Sequence, residues 1–369
     1  MLKRRRFIST LVASALVASL AHRGARASVD NAQWDPSSTW VFVVGVLRYP
    51  EGQAWPQEGR RDAVMIEQLK KVGVPSSQVE FITDKGATLA NVKQKFAAFL
   101  TKVPKGGTLW FYFAGHGDKS KNGMGSFVLY DRDWSNQEVY QAIERNFKGS
   151  QAMLFADCCY SGSLGKYVEK RNSRIKYAAL SSSNASNVST GAWTFTNSLI
   201  TGLQGTSFVD IKNTGWIDFA QLASFAEREM AAIDGQLSTS EVVNGFNRNL
   251  KLVPAKPHDN PIVGSYVNAK SSDGKFYVGR IDEVNGQKYL IRWGGYDESA
   301  NEWVNKSDTK KWIPNKLPNG TKVLVEWKGK WYKSTVLDSK SGSHLIHYYG
   351  FDSNWDEWVP PQRLKLSNS

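Results

Sequence analysis

Between residues 38 and 250, short unbroken apolar runs alternate with segments whose apolar positions recur every three or four residues. Residues 40–47 form a Val-rich run of the kind a strand buried on both faces requires. Ala63, Ile66 and Leu69 are spaced for a helix over 62–72. Residues 78–83 read as a second strand. Val92, Phe96, Phe99 and Leu100 place one apolar stripe on a helix over 87–103. Further strands are predicted over 108–114, 151–156 and 175–181, and further helices over 136–147, 194–203 and 218–233. The last of these carries Phe219, Leu222, Ala223, Ala226 and Met230 on one face. Alternating strands and helices predict an α/β domain with a mostly parallel sheet flanked by helices. Ligands of such sheets bind beyond the carboxyl ends of the strands.

The pattern changes after Leu252. Pro254, Pro257 and Pro261 mark residues 252–261 as a linker. Short β-rich segments with many aromatic residues follow, and they repeat. Lys275-Phe276-Tyr277 recurs as Lys330-Trp331-Tyr332, Gly295-Tyr296-Asp297 as Gly350-Phe351-Asp352, and Glu302-Trp303-Val304 as Glu357-Trp358-Val359. Each copy holds enough strands for one small barrel, giving barrels over 262–313 and 314–369.

The chain has 369 residues, 41% of them hydrophobic, which fits two or three globular domains. Its formal charge of +13 is partly an N-terminal matter. Residues 1–27 contain Lys3, Arg4, Arg5, Arg6, Arg23 and Arg26 and no acid, so the remainder carries +7. That mild excess is explained by a solvated basic face, and nucleic acid is not an expected partner. Basic residues, a short apolar stretch from Ile8 to Ala21 and Ala25-Arg26-Ala27 read together as a cleavable signal peptide. The stretch is short for a membrane span, so the mature chain, 28–369, is expected without one. Arg5-Arg6-Phe7-Ile8 resembles the bacterial twin-arginine signal, with Lys3 in place of the usual Ser or Thr, and the segment also reads as an ordinary secretory signal or an uncleaved anchor. The mature chain is therefore expected in the periplasm or secreted, with its α/β domain over 28–251.

His116 is the only histidine between residues 28 and 257, and the only cysteines are the neighbours Cys158 and Cys159. Two adjacent cysteines do not make a disulfide framework. Phe113-Ala114-Gly115-His116-Gly117 and Asp157-Cys158-Cys159-Tyr160-Ser161-Gly162 each follow a predicted strand, so one sheet edge can present an imidazole and a thiol. A thiol becomes a nucleophile when a base takes its proton. His116 can be that base and later protonate a leaving amine. The N–H groups of Gly117 and Cys159 are the candidate oxyanion donors. The pair also has other readings: a different thiol hydrolase, or a redox thiol with Cys158 as resolving cysteine.

Strand-Gly-His-Gly followed by strand-Asp-x-Cys-x-Ser-Gly resembles the caspase-like peptidases of clan CD, and among them the metacaspases. The resemblance spans about residues 38–235 and implies a caspase-like sandwich and a Cys/His endopeptidase. Alignment on Ser161-Gly162 makes Cys159 the nucleophile and Cys158 a buried neighbour. Tyr160 stands where metacaspases typically have His. The family's basic-selective S1 pocket would draw on Asp157 and on Asp62. Asp157 also reads as a strand-end cap, and Asp62 as a helix N-cap. The resemblance implies protein or peptide substrates with Arg or Lys at P1. No cofactor is required. The calcium some metacaspases need would fall near Asp131 and Asp133, where acids are sparse. The basic stretch from Gly165 to Lys176 is either an autocleavage site or a solvated loop.

The tail resembles the Tudor-knot and chromo-barrel group of SH3-like barrels. Such barrels can form aromatic cages for methylated lysine or bind nucleic acid, which makes Trp293, Tyr296, Trp303, Tyr348, Phe351 and Trp358 candidates beside Tyr277 and Tyr332, each of which also reads as a core or strand-packing aromatic. An exported chain would direct them to a cell-surface polymer or protein. The alternative to an active peptidase is an inactive caspase-like scaffold that binds through its barrels.

Overall fold

The computed structural model describes residues 32–50, 60–119, 124–169, 172–183, 193–257, 260–293, 298–312, 316–327, 329–340, 342–359 and 363–367. The expected signal peptide and Tyr296 lie outside them. Among the described residues no helix is long and apolar enough to cross a membrane.

Five parallel strands form the centre: β1 (Thr39–Gly45), β2 (Val79–Thr83), β3 (Thr108–Ala114), β7 (Gln151–Asp157) and β8 (Lys176–Ser181). With β10 (Thr239–Val243) they make a six-stranded sheet in the order β10-β8-β7-β3-β1-β2. The edge strand β10 is antiparallel to β8 and was not evident in the sequence. Its five residues are all half-buried, so it shows no unbroken apolar run.

Side chains alternate across this sheet and supply two cores. Val41, Val43, Trp110, Tyr112, Met153 and Phe155 face one side. They pack on α1 (Arg61–Lys71), α5 (Thr194–Leu203) and α6 (Phe219–Glu229). Phe42, Val44, Phe111, Phe113 and Leu154 face the other. They meet α2 (Leu89–Lys102), α3 (Asn136–Asn146) and α4 (Ser163–Glu169). The helix starts follow capping chemistry. Thr88 accepts from Asn91 N, and Ser135–Glu138 and Asp218–Gln221 close capping boxes. A small sheet of β4 (Gly117–Lys119), β5 (Gly125–Val128) and β6 (Asp133–Ser135) follows β3. The domain is thus the expected α/β sandwich.

The segment expected as a linker from residue 252 starts within this domain. β11 (Lys251–Pro254) pairs with β9 (Trp216–Asp218), and Leu252 and Val253 are buried. The prolines that suggested a linker begin only at its end, where Pro254 occupies an edge position.

Two five-stranded antiparallel barrels complete the chain. The first has β12 (Tyr266–Lys270), β13 (Phe276–Asn285), β14 (Lys288–Trp293), β15 (Glu302–Asn305) and β16 (Thr309–Lys311), ordered β15-β14-β13-β12-β16. The second repeats that order with β17 (Lys322–Trp327), β18 (Lys330–Lys340), β19 (Ser343–Tyr348), β20 (Glu357–Val359) and β21 (Leu364–Leu366). Even the ladder irregularity repeats, between Ile281 and Glu283 and between Val336 and Asp338.

The barrels dock on α6 and the π turn that extends it over Met230–Asp234. Arg280, 2% exposed, pairs with Glu229 at 2.6 Å and Asp282 at 2.7 Å. Its guanidinium lies over the Phe208 and Phe225 rings, 4.6 and 5.5 Å from their centroids. Tyr266 donates to Glu229. From the second barrel, Ser343 Oγ donates to Gly235 O at 2.5 Å and Lys340 pairs with Glu227 at 3.1 Å.

Removing one partner of a buried pair strands the other charge. Arg280→Ala is expected to destabilise the protein by about 3–5 kcal/mol. Disrupting the exposed Lys93–Glu138 pair should stay within about 1 kcal/mol. Urea unfolding of the two variants measures the difference.

Candidate active site

β3 and β7 are neighbours, paired in parallel from Thr108–Gln151 to Ala114–Asp157. His116 lies two residues beyond Ala114 and Cys159 two beyond Asp157, so both leave the sheet at one level. The next turns press together. A Cβ built on Gly117 would lie 2.0 Å from Cys159 O and 3.1 Å from Cys158 Sγ. Only glycine permits that approach.

Gly115 adopts φ +152° and donates to Asp157 O, which ties the histidine turn to the cysteine strand. The Tyr49 hydroxyl is inserted between the turn and β5: His116 N donates to it at 2.9 Å, and it donates to Val128 O at 3.1 Å. The Tyr49 and His116 rings are 4.9 Å apart. Val128 N donates to His116 O. Gly117, opposite Phe127, therefore occupies a non-hydrogen-bonded pair of the β4–β5 ladder, and its N–H points away from β5.

The cysteine turn is clamped by the end of β8. Cys158 N donates to Ser182 Oγ at 3.1 Å, Ser183 Oγ donates to Cys158 O at 3.0 Å, and Ser161 N donates to Ser183 Oγ at 3.2 Å. Tyr160 adopts φ +55°, a left-handed conformation unusual for a bulky residue. The two thiols differ. Cys158 is buried in the core beneath the turn, where burial pushes its ionisation well above the ordinary thiol range. Cys159 is half-buried.

Asp157 is fully buried. Tyr112 and Thr196 hydroxyls lie 2.5 Å apart, and Thr196 Oγ1 donates to Asp157 Oδ2 at 2.5 Å. Thr196 N, in the first turn of α5, also donates to Oδ2. Among the described residues Oδ1 has no hydrogen-bond partner. Burial raises the carboxyl to about 6 despite the Thr196 hydrogen bonds.

Asp62, also expected at the pocket, is engaged elsewhere. Arg60 binds it through Nη2 at 2.7 Å and Nε at 3.1 Å, and also reaches Asp84 and Gly45 O. Nor does Asp62 cap α1: it lies inside the first turn, and Arg60 is the N-cap. The local sequence Gly59-Arg60-Arg61-Asp62 holds the reason, because an Arg two residues before the acid can fold back on it.

Asp131 accepts from Leu89 N, and Asp133 accepts from Ser126 Oγ. Among the described residues no three His, Cys, Asp or Glu side chains gather as a metal site. In the barrels, Trp293 and Tyr348 are buried in the cores, whereas Trp303 and Phe351 are exposed. Tyr348 nevertheless reaches, with Tyr332 and Phe351, a cavity that Trp358 does not line. Trp327 and Trp355 also line it, and sequence reading missed both.

Residues 317–366, which contain every strand of the second barrel, match the Tudor-knot family model, described as an RNA binding activity-knot of a chromodomain. No curated protein matches the chain. Among solved structures, a protein from Geobacter sulfurreducens is 13% identical, with TM-score 0.45 over 59% of this chain and 99% of its own. The Drosophila initiator caspase Dronc is 11% identical, with TM-score 0.42 over 60% of this chain and 85% of its own. Caspase-1 from Spodoptera frugiperda is 11% identical, with TM-score 0.41 over 61% and 92%.

Unequal burial of the thiols gives a direct test. Iodoacetamide at neutral pH should label Cys159 in the native chain and leave Cys158 unlabelled until the chain is unfolded, as read by peptide mass spectrometry.

Proposed function

We propose that the chain is an exported caspase-like cysteine endopeptidase of the metacaspase type that cleaves after Arg or Lys. The observation that carries this reading is the level placement of His116 and Cys159, with Gly117 packed on the Cys159 carbonyl. In the proposed mechanism His116 takes the Cys159 proton and the thiolate attacks the scissile carbonyl. Gly117 N–H, directed away from its ladder, and Cys159 N–H stabilise the oxyanion. His116 protonates the departing amine, and water then attacks the thioester, with the imidazole as base.

The buried Oδ1 of Asp157 supports the basic preference. A carboxylate oxygen without a partner in a buried site carries a desolvation penalty that a guanidinium or ammonium would relieve. With Asp62 held by Arg60, this selection rests on Asp157 alone. The N-terminal signal pattern supports action outside the cytoplasm, on proteins or peptides with basic residues.

Fluorogenic peptides ending in Arg, Lys or Asp test the reading on the mature chain. Arg and Lys substrates should be cleaved and Asp substrates spared. Cys159→Ala removes the nucleophile and should abolish turnover, and His116→Ala should lower it by about 10²–10⁴-fold, while Cys158→Ala stays active. Wild-type chain that turns over none of them would favour the inactive-scaffold reading.

The Asp157 carboxyl also sets a pH dependence. Below about 6 it is protonated and loses the anion that the P1 cation needs. The KM of an Arg substrate should therefore rise as pH falls through 6, and that of a neutral citrulline analogue should not. The sign for folding is opposite. Because the folded value is raised, stability from protonated Asp157 is present below about pH 4 and lost as pH rises through 6. A KM ratio between the two substrates that is flat with pH would rule out Asp157 as the P1 partner.

A further inference from the structure

The second barrel carries a feature that the first lacks. Trp327, Tyr332, Phe351 and Trp355 form a closed cycle of ring contacts. Successive centroids are 6.1, 6.2, 5.7 and 5.9 Å apart, and successive planes are turned by 67°, 81°, 63° and 82°. Four mutually tilted rings make a box, not a flat stacking platform. Trp327, Phe351 and Trp355 are 37, 41 and 49% exposed, so its mouth is open to solvent. At the corresponding positions of the first barrel, Trp327 is replaced by Ser271 and Trp355 by Ala300.

The box opens into a cavity of about 520 Å³ that is shared with the α/β domain. Lys119, from the strand after His116, and Tyr160, the residue after Cys159, line the same space. A wall of the cavity is thus one peptide bond from the thiol. Burial, followed by the charges of Cys159, Asp118 and Glu357, pushes Tyr160 ionisation up, which places the barrel acid within electrostatic reach of it. The docking contacts at Gly235, Glu227 and Glu229 hold the barrels on the domain.

We infer that the second barrel completes the substrate groove: its aromatic box is a subsite for a second cationic side chain, lysine-like, on the polypeptide being cleaved at Cys159. The inference rests on the peptidase reading above. Cations are attracted to aromatic faces within about 6 Å of the centroid, and a box of this size offers several faces at once. The lining charges fit a polypeptide better than RNA. Glu357 is held by Arg363 at 2.7 and 3.0 Å, and Asp356 pairs with His347 at 2.7 Å. The site therefore has no basic excess for a phosphate chain, and its tilted rings give no continuous platform for bases. The two tryptophans of the box, which the first repeat's sequence does not carry, stand in the repeat that shares a cavity with the cysteine turn.

The test uses the full mature chain and octapeptides with Arg at P1. One lysine is moved through the other positions, and each peptide is compared with its glutamine counterpart. At one or two positions on one side of the scissile bond, the lysine-to-glutamine ratio of kcat/KM should be roughly three- to thirty-fold. It should fall to about one in Trp327→Ala and Trp355→Ala and persist in Trp355→Phe. A ratio is insensitive to the amount of folded enzyme. No lysine preference at any position, or one that survives both alanine variants, overturns the subsite. If no peptide is cleaved, the peptidase reading fails, and titration of the peptides onto Cys159→Ala judges the box separately. Tighter binding of lysine peptides that Trp355→Ala abolishes supports a cation site; equal binding overturns it. Single-stranded RNA that binds through Trp355 while lysine has no effect replaces the inference with RNA recognition.

Discussion

Parallel pairing of β3 with β7 in register up to Ala114–Asp157 is the constraint on which the rest of the site depends. Because the strands end level, residues two positions further on both sides emerge together. A slip of one residue would exchange the faces of one strand and send Trp110 and Tyr112 into the wrong core. The alternating aromatic positions forbid it, since Trp110 stacks on Phe155 at 4.2 Å and Phe111 faces the opposite helices. Packing energy far from the site thus fixes its geometry. Gly117 then sets how closely the two turns approach, and the β8 serines set how far the cysteine turn can move.

Arg280 has a comparable place between the domains. Burying a guanidinium and a carboxylate yields little net stability over an apolar contact of the same volume. Its effect is directional. A planar fork bound to Glu229 and Asp282 and covered by two Phe rings fits in one orientation only. The first barrel is thereby oriented on α6, and the second adds its own hydrogen bond at Gly235. The tail is part of the surface around the cysteine turn, which a tethered targeting module would not need to be.

Much of this was legible in the sequence because a buried parallel sheet leaves unbroken apolar runs. The strands ending at Ala114 and Asp157 are such runs, and the histidine and cysteines stand just beyond them. Tyr49 was not legible: it lies in Arg48-Tyr49-Pro50, outside any periodic segment, and its partners are 67 and 79 residues away. The barrels show a different failure. Reading for repetition selects residues that both copies share, and shared aromatics such as Trp293 and Tyr348 are core residues. Two walls of the box, Tyr332 and Phe351, recur as Tyr277 and Tyr296, and the other two, Trp327 and Trp355, are those that do not repeat. In a tandem repeat the packing is common to the copies, and what distinguishes them is found in the positions that differ.

Tyr160 lies between the cysteine turn and the second barrel. A bulky residue at φ +55° costs about 1–2 kcal/mol over an extended or helical conformation, and glycine there would remove the penalty. The surrounding structure holds the strain: Ser163 N and Oγ both donate to Tyr160 O, and Ser161 is fixed by Ser183. Glycine would relax the turn but take away the side chain that lines the cavity shared with the second barrel. The left-handed turn does two things at once. It starts α4 three residues later, so that Cys159 stands at the end of a rigid strand. It also turns the next side chain toward the aromatic box. The strain beside the thiol and the asymmetry between the two barrels then have one common explanation, a groove built jointly by the sandwich and the tail.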